Sequence, residues 1–166
     1  MDNKLRAKIL FEISQIEKLL GDSKPLFDLC KIKKPDFIEM SAAAMVLHSF
    51  YNGIENVLIL IFKFYDKQLP NSNKWHMEML DKAFVSENKR KQIFCNDIKE
   101  TMEEYMKFRH FVRHVYGFQL EWERMERLIN GINDFWKIIK ENINNFLLEN
   151  NELLPLHITN GNSSPP

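Results

Sequence analysis

Between Ser41 and Phe62 the chain runs through apolar residues with few interruptions, and no other segment limits its fold as much. Met45, Val46, Leu47, Phe50, Ile54, Val57, Leu58, Ile61, Phe62 and Tyr65 fall on every side of a helix of about 3.6 residues per turn. A helix that is apolar all round has to be covered, either by lipid or by other helices. His48, Asn52, Glu55 and Asn56 stand in the middle of the run, and a bilayer would bury all four, at about 2.5–3.5 kcal/mol for the charged one alone. The segment therefore predicts the central helix of a bundle. Asn52, Glu55 and Asn56 then need partners inside the protein, and two readings stay open: polar contacts between helices, or support beneath a functional site.

The remainder of the chain has to supply the cover. Its 166 residues suit one domain, and thirteen Phe and eight Met against only five Gly favour long helices over strands. Leu5, Ile9, Ile13, Ile16 and Leu20 make one apolar stripe at steps of three and four, ended by Gly21 and Asp22. The stretch with Lys24, Pro25, Lys31, Lys33, Lys34 and Pro35 reads as a connection. Asp36 with Glu39 three residues on forms a capping-box pattern and starts the central helix, which runs to about Lys67. A short helix is expected over about 74–83, with Trp75, Met79 and Leu80 on one side.

Ser86 is placed to cap the next helix, through Ile93, Phe94, Ile98, Met102, Tyr105 and Phe108 toward a C-terminal cap at Gly117. The last helix spans about 119–150. The expectation is an all-α fold, an antiparallel bundle of four main helices plus one short helix, with the domain at 1–151 and a disordered tail at 152–166.

Lys and Arg number 23, as do Asp and Glu, so the total charge offers no argument for a nucleic-acid partner and any such partner must rest on a local site. Cys30 and Cys95 lie far apart, without a CxxC pair or a His cluster, and read as reduced thiols, with no metal and no cofactor implied. The opening residues MDNKLRAKILFE lack an apolar signal region, so a cytoplasmic protein with no membrane partner is expected.

One stretch carries chemistry: Phe108-Arg109-His110-Phe111-Val112-Arg113-His114-Val115-Tyr116-Gly117. On a continuous helix at about 100° per residue, Arg109, Arg113 and Tyr116 fall within about 60° of one another, His110 and His114 flank them, and the apolar residues take the opposite arc. Cations in a last helical turn complement the helix dipole, but that does not call for a Tyr beside two His. His110 and His114 have metal-ligand spacing at i, i+4, yet no third ligand stands near and two Arg would repel a cation. A charged protein-contact surface is a further reading. Phosphodiester chemistry is the fourth: Arg offers a permanently charged fork to phosphate, and His titrates near neutrality and can move a proton.

Arg109, His114 and Tyr116 stand in the R-x4-H-x-Y pattern, with His110 after the Arg, and this resembles the HepT-like toxins of the HEPN ribonuclease superfamily. HSFYNGIENVL (48–58) and KWH (74–76) are also similar to the longer HepT-like proteins, so the resemblance covers roughly residues 1–150. It implies a metal-independent RNase that cuts tRNA or mRNA by 2′-hydroxyl attack, the toxin of a type VII-like toxin–antitoxin pair. It further implies a homodimer with the motifs facing across the two-fold axis, and a minimal nucleotidyltransferase antitoxin as partner. Arg109 would then hold the scissile phosphate and His114 would act as general base or acid, with His110 and Arg113 auxiliary. Tyr116 would be the hydroxyl that receives AMP. The rival reading is a non-catalytic nucleotide- or substrate-binding helical subunit of a nucleotidyltransferase complex.

Overall fold

The computed structural model describes residues 3–72, 74–87 and 90–150, and its regular elements are all helical. They are α1 (Asn3–Asp22), α2 (Lys24–Ile32), α3 (Phe37–Tyr65), α4 (Trp75–Ala83), α5 (Lys99–Val112) and α6 (Trp122–Glu149). The assigned tail lies outside the described residues.

Helix α3 is the centre. It is the one described helix long and apolar enough to cross a membrane, and here α1, α5 and α6 pack around it. Its start is set as the sequence predicts: the Asp36 carboxylate accepts from the Glu39 N–H at 2.9 Å, and Glu39 Oε2 accepts from the Asp36 N–H at 2.8 Å. The directions of its neighbours can be read from side-chain pairs. Glu12 meets Asn56 while Ile16 meets Gly53, so α1 runs against α3. Phe50 meets Tyr105 while Phe37 meets Gly117, so α5 also runs against it. Phe50 meets Trp136 and Tyr65 meets Phe146, so α6 runs with it. Aromatic contacts tie the middle together: Tyr105 stacks on Phe135 at 5.0 Å and donates its hydroxyl to the Leu128 carbonyl at 2.7 Å.

Three expectations are corrected. The stretch 24–32, read as a connection, is helix α2. Pro25 sits in its first turn, where no N–H is needed, and Phe27 and Cys30 bury one face while the lysines stay outside. Ser86 does not cap a helix. Its hydroxyl accepts from the Gln92 N–H at 3.0 Å inside a loop, and α5 begins only at Lys99 after a short 3-10 turn at Asn96–Ile98.

That loop is held by Arg90, which is fully buried. Arg90 donates to Asp66 Oδ1 at 3.2 Å and to the carbonyls of Lys82 and Val85 at 3.1 Å each, with its guanidinium 4.7 Å from the Phe62 ring. Ile93 and Phe94 are buried as the helical pattern suggests, but from a loop whose N–H groups bond the Ala83 carbonyl.

Gly117, finally, is no left-handed cap, since no described glycine has positive φ. It opens a second 3-10 turn, Gly117–Gln119, and a Cβ there would stand 3.3 Å from Phe37 Cζ.

Gly53 fixes how closely α1 and α3 approach. A Cβ at this position would lie 2.5 Å from Ile16 Cγ1 and 2.9 Å from its Cδ1, and Ile16 is itself buried. Gly53→Ala gains about 1 kcal/mol of helix propensity but forces the helices apart, an overpacking cost of about 1–3 kcal/mol, and the net change is expected to destabilise. Placed in an Ile16→Ala background, the same change should become neutral or stabilising; urea melts of the four proteins in the double-mutant cycle check this.

Candidate active site

The candidate residues converge where the C-terminal end of α5 crosses the middle of α3. Helix α5 ends at Val112, short of the motif's end, because the His114 N–H bonds the Phe111 carbonyl at 3.0 Å in a tightened last turn and Tyr116 is extended. The continuous helical face expected for Arg109, Arg113 and Tyr116 is therefore not formed. Arg109 leaves that face altogether: it is only 8% exposed and turned inward onto α3, whereas His110, Arg113 and His114 are exposed.

What draws Arg109 inward is the polar interruption in α3. Its Nε donates to Asn52 Oδ1 at 2.5 Å, and its Nη2 lies 2.8 Å from Glu55 Oε2. Glu55 is 3% exposed, and a carboxylate so placed in an apolar helix needs a cation. The third partner comes from α4. His76 places Nδ1 2.6 Å from Glu55 Oε1, and its Nε2 lies 3.4 Å from Arg109 Nη1. Behind Asn52 stands His48, whose Nε2 accepts from the Asn52 amide at 2.9 Å. Asn56 is separate, donating to Glu12 on α1 at 3.2 Å. Of Asn52, Glu55 and Asn56, two thus hold Arg109 and one joins helices.

The exposed members form a second group. The rings of His110 and His114 stand 4.7 Å apart. Tyr116 is 73% exposed, and its ring stacks on Phe118 at 5.5 Å with the planes nearly parallel. Among the described residues no group of three His, Cys, Asp or Glu is arranged to hold a metal.

Burial sets the protonation of the inner group. It pushes the Glu55 carboxyl up to about 7 against the pull of Arg109 and Arg113. It also pushes His76 down to about 4, helped by the positive charges of Arg109, Arg113 and His110. Burial lowers His48 too, with Arg109 and Arg113 adding to the effect. Below neutral pH, Glu55 and His76 hold one proton between them across a 2.6 Å contact. Once pH rises above about 7 the carboxylate is ionised, neutral His76 donates to it from Nδ1, and its Nε2 accepts from Arg109.

In the sequence His76 stands out only inside the phrase KWH, and His48 as an interruption of the apolar run and within HSFYNGIENVL. The structure brings both phrases to Arg109. The sequence matches the HepT-like protein family over residues 42–150, well over half of the chain, and that span contains His48, Asn52, Glu55, His76 and the whole 109–116 motif. The chain belongs to the HepT-like family. That groups it with the HEPN-type toxins of toxin–antitoxin pairs, which are usually ribonucleases. No curated protein and no solved structure matches it.

The shared proton of this HepT-like protein has a stability signature. Glu55, raised from 4.5 to about 7, contributes stability that is complete below 4.5 and lost as pH rises through 7. His76, lowered from 6.5 to about 4, contributes stability that is complete above 6.5 and lost as pH falls through 4. The two slopes oppose each other between 4.5 and 6.5. Glu55→Gln removes one of them, so going from about pH 7.5 to about pH 5 the variant should lose about 1–2 kcal/mol more stability than the parent. Urea melts at the two pH values measure the difference, and parallel pH profiles would show that the two groups do not share a proton.

Proposed function

We propose that this protein is a metal-independent ribonuclease, the toxin of a toxin–antitoxin pair, working in the cytoplasm on tRNA or mRNA. The observation that carries the reading is one arginine held by three partners in the last turn of a helix, with His110 exposed on that same turn and His114 exposed just after the helix ends. Arg109 cannot swing away, because Asn52, Glu55 and His76 fix its fork, and a fixed charge stabilises a developing phosphorane without reorganising. His114 takes the proton of a ribose 2′-hydroxyl or gives one to the leaving 5′-oxygen, and His110, with its ring beside that of His114, shares this work. The 2′-oxygen bonds to phosphorus as the P–O5′ bond breaks, leaving a 2′,3′-cyclic phosphate and a free 5′-hydroxyl. Arg113 is exposed and adds positive charge for the strand.

A homodimer suits this chemistry, since two copies would put two Arg109 and two His114 side chains in one cleft. Exposed apolar side chains support it: Phe37, Ile38 and Met45 on α3 are exposed, as are Tyr116 and Phe118, and Phe37 packs on Gly117 between those two. Tyr116 supports the pairing with a minimal nucleotidyltransferase. Its ring projects from a short turn into solvent, where a second enzyme's active site can enclose it. Attack of the phenolic oxygen on the α-phosphorus of ATP would release pyrophosphate and leave AMP on the tyrosine, adding bulk and negative charge where RNA phosphate should approach.

A second reading follows from the ion pair itself. The charge of Arg109 is largely spent on Glu55, as in a binding subunit that holds a nucleotide without cutting it.

His114→Ala separates the two. The ribonuclease reading expects cleavage of bulk RNA with cyclic-phosphate ends, unchanged by EDTA, and slowed about 10²–10⁴-fold in the variant; cleavage at the parent rate would remove His114 from the mechanism. Incubation with a minimal nucleotidyltransferase and ATP should add AMP that maps to Tyr116 by mass spectrometry and abolish cleavage, while Tyr116→Phe should stay unmodified and active.

A further inference from the structure

Beside Arg109, α4 and α5 enclose an open cavity of about 440 Å³. Its lining has two chemistries. Met77 from α4 and Met106 from α5 are apolar, and the polar contributions come from cationic or imidazole side chains: Lys74, Lys107, Arg109 and His110, with His76 beside them. Among the described residues no carboxylate lines it. Glu55 lies buried behind Arg109 and His76, and Glu103 reaches Lys107 from one turn earlier on α5 at 3.1 Å. Among the described residues Lys74 makes no ion pair.

A cavity of this size, mostly apolar with a few positive groups, fits a small planar anion. The polarisable thioethers of Met77 and Met106 suit the face of a ring, and the two lysines suit a phosphate. His76 has both ring nitrogens engaged, by Glu55 and by Arg109, so it offers the cavity a ring edge rather than a free donor. Arg109 and His110 belong both to this cavity and to the candidate cleavage centre, so a strand lying across that centre would pass directly into it.

We propose that the cavity between α4 and α5 binds one ribonucleotide of the RNA strand adjoining the scissile phosphate, its base against Met77 and Met106 and its phosphate on Lys74 and Lys107. The proposal rests on the ribonuclease reading above and names a substrate subsite for it. Lys107 exchanges the half-buried Glu103 carboxylate for the phosphate, and Lys74 is free to close on it.

The test uses the full chain with [¹³C-methyl]methionine and the His114→Ala change, so that RNA stays intact during the measurement. The probes are the four ribonucleoside monophosphates, a short RNA and inorganic phosphate. Ring currents from a base should move the methyl signals of Met77 and Met106, assigned through Met77→Leu and Met106→Leu, with the nucleotides and with RNA but not with phosphate. Lys74→Glu combined with Lys107→Gln should weaken both binding events about tenfold and lessen their salt dependence. In the otherwise native chain the same pair of changes should raise KM for RNA with kcat held.

The proposal fails if RNA leaves both methyl signals in place, or if inorganic phosphate moves them as much as a nucleotide does. Movement with free nucleotides but not with RNA would make the cavity a mononucleotide site and overturn the strand assignment. RNA cleavage by the parent chain with unmoved methyls would sink the subsite alone. Moved methyls without any cleavage would leave the subsite standing and sink the ribonuclease reading.

Discussion

A carboxylate buried in an apolar helix is the constraint on which much of the site depends. Glu55 sits in the central span of α3, where an unpaired charge is costly, and it is met by Arg109 from α5 and His76 from α4. Three successive helices are thereby brought into register at one point. The apolar packing of α3 against α5 tolerates many alignments, because Leu, Ile and Phe contacts are not directional. An arginine fork with a carboxylate and an amide at fixed distances tolerates few. The polar cluster therefore selects, among the ways of stacking these helices, the one in which Arg109 faces inward and His110 outward.

The same arrangement explains how a chain of zero net charge can hold a positive site. Acidic and basic residues are matched over the surface by ordinary ion pairs such as Lys34–Glu123, Lys99–Asp81 and Arg127–Glu104. Pairs of this exposed kind contribute little to stability. At the end of α5 the matching is incomplete on the outside, since the acid that answers Arg109 lies beneath it. The cation is neutralised from the protein side while the solvent side keeps Arg113, His110 and His114.

Much of the fold was legible because it rests on period and capping. The stripes of α1 and α6, the all-round apolarity of α3 and the Asp36–Glu39 box all follow from residue spacing. Legibility failed where one residue type serves two purposes. Pro25 marks a break in most contexts but also fits a first helical turn, and so α2 was missed. Ile93 and Phe94 continue the helical pattern of α5, yet they are buried from a loop, and what allows it is Arg90, a charged residue that pattern alone places outside. The candidate site divides similarly. The outward residues were readable from their chemistry in one short segment, and the need of Asn52 and Glu55 for partners was readable from the span that contains them. That those partners are Arg109 and His76 was not, because it depends on how α4 and α5 lie on α3, and spacing along the chain carries no such distance.

The end of α5 at Val112 divides the motif into two mechanical parts. Arg109 and His110 belong to the helix and inherit its rigidity, with Arg109 anchored further by side chains on two other helices. His114 and Tyr116 belong to a turn outside the helix, held by the bond of the His114 N–H to Phe111 and by the paired bonds between Tyr116 and Gln119. Anything that grips the exposed Tyr116–Phe118 stack pulls on the segment carrying His114 without disturbing the seat of Arg109. The half that carries Arg109 and the half that carries His114 can thus be separated or brought together by a force applied at the rim, so that alignment, more than occupancy, is the quantity a bound partner would control.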